Sequence, residues 1–310
     1  MRARFLVAIL VGCALGVATY AMLVARPTIQ GADFTYPWLA ARAVLHRQNP
    51  YAIPTTALPF GGGFLYPWPA ILLGLPFAWM DVRIAGAVMV GLTMGLAAFV
   101  VSREHRWRLL MFVSGPAFMI ASSVQWGGLV MAAAFVPALG GISAATKPST
   151  LAALAYQRRW SDVIRACVVG LSILALSMAI APHWATDWIR RARASPVGHQ
   201  YVAPLFSWTG APILLALTRW RRREARLLVC LAVLPQTTFL YDQFLVFLVP
   251  ETRLEMLAAV TVSLFVLAAP YYIDFDRTNT VTLIRSYLPL INVGLYWPAL
   301  VMILRRRNEA

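Results

Sequence analysis

Apolar residues recur in runs almost end to end along the chain, and each run closes on Arg, Pro or an acid. Runs of this kind read as membrane spans, because an apolar helix crosses the hydrocarbon core in roughly 20 residues. They fall at 5–25, 64–80, 83–101, 108–122, 126–139, 141–157, 163–181, 203–218, 227–241, 243–253, 255–272 and 283–304. Several are too short to cross alone and need tilt or breaks, which are tolerated where a segment packs on protein rather than lipid. The pattern predicts an all-α polytopic membrane bundle of about 10–12 spans, one transmembrane domain over 1–310.

Two interruptions, 26–63 and 182–202, are too long to be turns and are predicted to face outward. In the first, Pro37 opens the stretch WLAARAVLHRQ. Trp38, Ala41, Val44 and Leu45 share one side of it, and Arg42 and His46 share another. That division predicts a helix in the plane of the interface, ended by Asn49-Pro50. In the second, Trp184 and Trp188 are four apart and suit head-group depth, with Arg190, Arg191 and Arg193 at phosphate level.

Composition removes the soluble alternatives. A chain of 310 residues that is 60% hydrophobic and 13% charged, with a mean hydropathy of +0.68, cannot cover a water-facing surface. The first run follows Arg2 and Arg4, outruns a signal-peptide core of ~7 to 15 residues and lacks a small-x-small cleavage site, so it reads as a retained helix. The net charge of +15 sits in short Arg clusters at run ends, which points to membrane lipids and away from nucleic acid. The clusters Arg219 to Arg226, Arg305 to Arg307 and Arg158 to Arg165 are predicted inside. This makes a multi-pass protein of a bacterial plasma membrane with both termini cytoplasmic, and it requires a break at the polar patch 236–243. The span count then leaves Arg103, Arg106 and Arg108 outside, against the rule, together with Arg190, Arg191 and Arg193.

Candidate chemistry is sparse. Asp33, just past the first run, can cap the helix that follows it, or serve as a general base desolvated by Phe34, Tyr36 and Trp38. Lys147, the only lysine, precedes Pro148 at a span end; it can snorkel to the surface or hold an anionic leaving group. The stretch TTFLYDQF, 237–244, with Asp242 and Gln243, is an outward turn or the lip of a cavity. His46, His105, His183 and His199 lack matched metal spacing, and Cys13, Cys167 and Cys230 suggest neither disulfide nor metal. There is no P-loop, dinucleotide turn or nucleophile elbow, and the glycines at 61–63 read as a hinge.

Taken in order, DFTYPWLAARAVLHRQNPY, FLYPWPAILLGLPFAWM, VQWGG, ATKPSTLAALAYQRRW and TTFLYDQF after a first helix resemble glycosyltransferase family 87, of the GT-C superfamily, over about residues 5–250. The resemblance implies a GT-C helical bundle that transfers a hexose, often mannose, from a polyprenyl-phosphate donor to a lipid or glycan acceptor on the outer side. It implies inverting catalysis without a metal or other cofactor. Asp33 matches the acid of the first outward loop, the family's base, and Lys147-Pro148 matches its Lys-Pro pair. Lys147 with Arg190, Arg191 and Arg193 would hold the donor phosphate, and Tyr36, Tyr66, Gln125, His199, Asp242 and Gln243 would line the cavity. The chain departs where members carry Gly-Gln, here Val124-Gln125, and where a His often stands, here Asp242-Gln243. Two rival classes are a transporter or flippase of a lipid-linked sugar, which calls for matching halves and midplane charges, and an inactive scaffold. The enzymatic reading requires Asp33 and Lys147 to share one cavity.

Overall fold

The computed structural model describes residues 1–60, 63–157, 159–194, 202–235, 240–275 and 280–307. Among them every regular element is a helix. Five helices are long and apolar enough to cross a membrane: Arg2–Ala25, Val82–Val101, Trp160–Ile180, Arg253–Tyr271 and Arg285–Leu304. They match the expected runs 5–25, 83–101, 163–181, 255–272 and 283–304.

The remaining expected spans are built from shorter pieces. Run 108–122 becomes the 3₁₀ helix Arg106–Val113 and the α-helix Gly115–Ser123, and run 126–139 gives Gly127–Ala133. Run 141–157 divides into Pro137–Thr146 and the 3₁₀ helix Pro148–Tyr156; runs 227–241 and 243–253 give Arg223–Val233 and the 3₁₀ helix Tyr241–Leu248. Prolines explain several of the breaks. Pro116, Pro137, Pro148 and Pro212 each sit in the first two positions of a helix, where the missing N–H costs nothing but a preceding helix cannot continue through. The expected number of about 10–12 spans thus resolves, among the described residues, into five full-length helices and a set of half-length ones.

The first helix and Val82–Val101 pack on each other more extensively than any other pair among the described residues. Gly12 and Gly16 face Gly91 and Gly95, and a Cβ added to Gly12 would lie 2.6 Å from the Gly91 carbonyl oxygen. On Gly95 it would lie 2.9 Å from the carbonyl oxygen of Ala8. Small residues four apart on both helices let the backbones touch, the usual source of helix association where lipid removes the hydrophobic drive. Gly12→Val should therefore force the pair apart at a cost of about 1–3 kcal/mol. A thermal melt of the detergent-solubilised protein reads this, and an unchanged midpoint would show that the contact carries no stability.

Val82–Val101 also fixes the two ends of the bundle. Its 20 residues extend about 30 Å. Gly31, two residues before Asp33, packs on Val82 at one end, and Glu104 follows the other. At the Glu104 end Arg108 (3.2 Å) and Arg223 (2.9 Å) both pair with Glu104. Arg219 donates to the carbonyls of Leu304 and Arg306, Arg222 to that of Arg307, and Arg226 to those of Ala155 and Gln157. The Arg-bearing segments after residues 100, 218 and 304 and the carbonyls of Ala155 and Gln157 therefore meet at one end.

This corrects the placement of Arg103, Arg106 and Arg108 opposite Arg219 to Arg226. The cause is the run 64–80, which does not cross. It forms only the short helices Ala70–Gly74 and Leu75–Phe77, and its Phe64, Trp68 and Ile71 pack with Tyr36, Tyr51 and Trp184 at the Asp33 end. One crossing fewer before residue 82 returns Arg103 to Arg108 to the common end.

The two helices expected in the long loops form, in part with other partners than expected. The first runs Thr35–Leu45, starting before Pro37, and buries Thr35, Tyr36, Pro37, Trp38, Ala40, Ala41 and Ala43 against protein; Leu45, expected on the buried side, is exposed. Arg42 lies over the Trp38 ring, 4.7 Å from its centroid. The second, Trp184–Ala194, buries Trp184, and Trp188 donates its indole N–H to the Leu65 carbonyl at 2.7 Å. Both tryptophans pack against the segment that carries Tyr51, Phe64 and Leu65.

Candidate active site

Asp33 lies in the 3₁₀ turn Ala32–Phe34 that leads into Thr35–Leu45. It does not cap that helix, whose N-terminus receives no side-chain hydrogen bond. Its carboxylate instead accepts from the side-chain amide of Gln125, 92 residues on in the sequence. The other end of the same amide, Oε1, accepts from Lys147 Nζ at 3.4 Å. Lys147 Nζ also stands 3.6 Å from Asp242 Oδ1 and 5.0 Å from the centre of the Tyr241 ring. Four segments distant in sequence thus join in one chain: Asp33, Gln125, Lys147, Asp242.

Each member sits at a break in the helical structure, which is why its polar group is free to turn toward the others. Gln125 occupies the connection between Gly115–Ser123 and Gly127–Ala133. Lys147 ends Pro137–Thr146, with Pro148 preventing the helix from continuing, and Asp242 lies in the first turn of Tyr241–Leu248. The backbone is strained at three of these places. Among the described residues five non-glycine residues have positive φ, and three stand beside the site: Ala32 (48°) before Asp33, Val124 (50°) before Gln125, and Leu240 (57°) before Tyr241 and Asp242. An L-residue in this region costs about 1–2 kcal/mol, and a β-branched valine is unusual there. Such strain persists only where packing over-determines it, and it clusters at sites of function.

The electrostatics distinguish the two acids. Asp33, in the loop beyond the first span, is pushed up to about 7: burial is the main cause, Lys147 opposes it, and the Asp242 charge adds to it. A carboxyl held there is shared between its two protonation states at neutral pH. Asp242 keeps the closer contact with the ammonium, and both side chains of that pair remain 19% exposed.

A small, partly open cleft of about 30 Å³ lies beside this chain. Gln125, Lys147 and Asp242 form its polar side, with Val130, Leu231 and Phe244 on its apolar side; Asp33, expected to share one cavity with Lys147, and Tyr66 do not line it, and Asp33 reaches it only through Gln125. Trp126 also lines it; its indole N–H is buried without a hydrogen-bond partner, and its ring stacks on Tyr66 at 5.5 Å and 26°.

Not every expected residue arrives. Arg190 pairs with Asp187 at 3.4 Å, Arg191 donates to the Ile53 carbonyl at 3.4 Å, and Arg193 is exposed. All three belong to Trp184–Ala194, which packs on the segment around Pro50–Ala52 and Leu65, so they are not joined to Lys147 as a phosphate clamp. Tyr36 is buried in the aromatic cluster behind the site, and Gln243 is fully buried and does not line the cleft. His199 falls outside the described residues. Trp126 and Tyr241 were not singled out by sequence, although each adjoins a residue that was. Among the described residues no three His, Cys, Asp or Glu gather as a metal site. Compared with known proteins, the chain matches no family model, no curated protein and no solved structure.

Proposed function

We propose that the chain is a membrane-embedded inverting hexosyltransferase of GT-C type. It moves a hexose, with mannose the expected sugar, from a polyprenyl-phosphate donor to a hydroxyl of a lipid or glycan acceptor on the extracytoplasmic side. The observation that carries this reading is the union of Asp33 and Lys147 through Gln125, with Gln125 and Lys147 lining a small cleft and Asp33 behind Gln125. Asp33 takes the proton of the acceptor hydroxyl as its oxygen bonds the anomeric carbon. The bond from that carbon to the donor phosphate oxygen breaks, and Lys147 stabilises the charge on the departing prenyl phosphate. A phosphate needs no proton to leave, so one base suffices.

The position of the site supports an enzyme over a carrier. Its acids lie at the Val82 end of the bundle, about one helix length from the Arg network, whereas carriers hold substrate near the midplane. The direct test supplies radiolabelled polyprenyl-phosphate hexoses to membranes containing the chain and follows label into lipid or polymer. No transfer from any such donor by folded protein would rule the reading out.

The pH profile tests the assignment of Asp33. A base must be ionised to act, so kcat/KM should rise with pH through about 7. Asp242→Asn removes a charge that raises the Asp33 value, so the rising limb should move to lower pH. A limb that stays in place would mean that another group is being titrated.

A further inference from the structure

We propose that anion binding at Lys147 and proton binding at Asp33 favour each other, with the Gln125 amide as the coupling element. The proposal rests on the donor reading only for the identity of the anion, a phosphodiester.

Geometry carries the argument. Gln125 is 1% exposed and spends both ends of one amide on the site, Nε2 on the Asp33 carboxylate and Oε1 on the Lys147 ammonium. Strained Val124 holds it there, so it cannot serve one partner without affecting the other. The Lys147 ammonium already faces Gln125, Asp242 and the Tyr241 ring. A phosphate oxygen that reaches Nζ must therefore displace or share one of these contacts.

Charge gives the coupling its sign. The groups facing Asp33 are Lys147 and Asp242. On the elements packed against its turn, Arg42 is turned over Trp38, Arg83 stands at the start of Val82–Val101, and Gly115–Ser123 has no charge. Arg26 is committed to the Ser122 carbonyl at 3.0 Å. With Asp33 ionised, two carboxylates share one ammonium, and an incoming anion enters a site with excess negative charge. With Asp33 protonated the cluster is neutral and accepts the anion more readily. Linkage makes the effect mutual, so a bound phosphodiester raises the proton affinity of Asp33 and makes it a stronger base only after the donor is seated. The kcat limb should then lie at higher pH than the kcat/KM limb.

The test uses the full chain in detergent or nanodiscs and a short-prenyl phosphate hexose, whose single negative charge is constant across neutral pH. Calorimetry should show affinity falling roughly tenfold from about pH 6 to about pH 8, with proton uptake on binding. Asp33→Asn should bind with no pH dependence, and Gln125→Leu, close in volume, should shrink the pH step. Wild-type affinity that is flat with pH overturns the coupling while leaving the donor reading intact; an undiminished step in Gln125→Leu overturns the role of the amide. A probe that binds neither wild type nor Asp33→Asn, both folded by their melting transitions, removes the donor reading and the coupling together.

Discussion

Asp33→Asn should lower hexose transfer by roughly 10²- to 10⁴-fold, the usual worth of a positioned base. The substitution preserves shape, and its amide oxygen can still accept from Gln125, so the chain of contacts to Lys147 survives. What it loses is a site for the acceptor's proton. Stability should not fall, because the wild-type carboxyl is held against its own desolvation. Transfer measured under donor saturation, beside a thermal melt, separates the two effects. A variant that melts like wild type and transfers within a few-fold of it would exclude Asp33 as the base.

The largest effect on stability is expected at the opposite end. Glu224 is 2% exposed and pairs with Arg223 at 3.0 Å and Arg222 at 3.7 Å. Arg223 continues to Glu104 and Arg108, while Arg222 continues to Glu251, which pairs with Arg306. Arg306 reaches Glu255 at 2.7 Å, so this ladder ties the segments after residues 100, 218, 250 and 304 together. Removing the middle carboxylate leaves two largely buried guanidinium groups short of charge. Glu224→Ala should cost about 3 kcal/mol, at the low end of the range for a broken buried pair because each Arg keeps another acid. Unfolding in mixed micelles with increasing SDS fraction measures it. A loss below about 0.5 kcal/mol would mean that water or the remaining acids already satisfy the two cations.

The contrast between what sequence revealed and what it hid has a physical pattern. The five full-length helices were legible because a long apolar run has one stable arrangement in lipid. The run 64–80 was read as the second span because hydropathy does not distinguish a segment that crosses from one that folds back on aromatic neighbours. Its Pro67, Pro69 and Pro76 carried the warning. Asp33 and Lys147 stood out because ionisable groups are scarce near spans. Their connection did not, since Gln125 belongs to no periodic pattern and Asp242 reaches Lys147 from 95 residues away. Arg190, Arg191 and Arg193 were grouped with Lys147 on charge alone, and charge says nothing about which loop a helix packs on. The glycines at 12, 16, 91 and 95, which let two long helices touch, were not singled out by sequence although their four-residue spacing was present.

That contact also bears on how the protein can diversify. The segment from Arg26 to Asp81, which carries Asp33 and much of the outer aromatic cluster, leaves and re-enters the bundle through two helices in van der Waals contact. Its ends are therefore held whatever its length. Loop-closure entropy grows only with the logarithm of length, so lengthening the distal part by ~10 residues costs well under 1 kcal/mol. The parts of this excursion beyond Leu45 can change while Asp33, close to the clamped entry, keeps its register with Gln125 and Lys147.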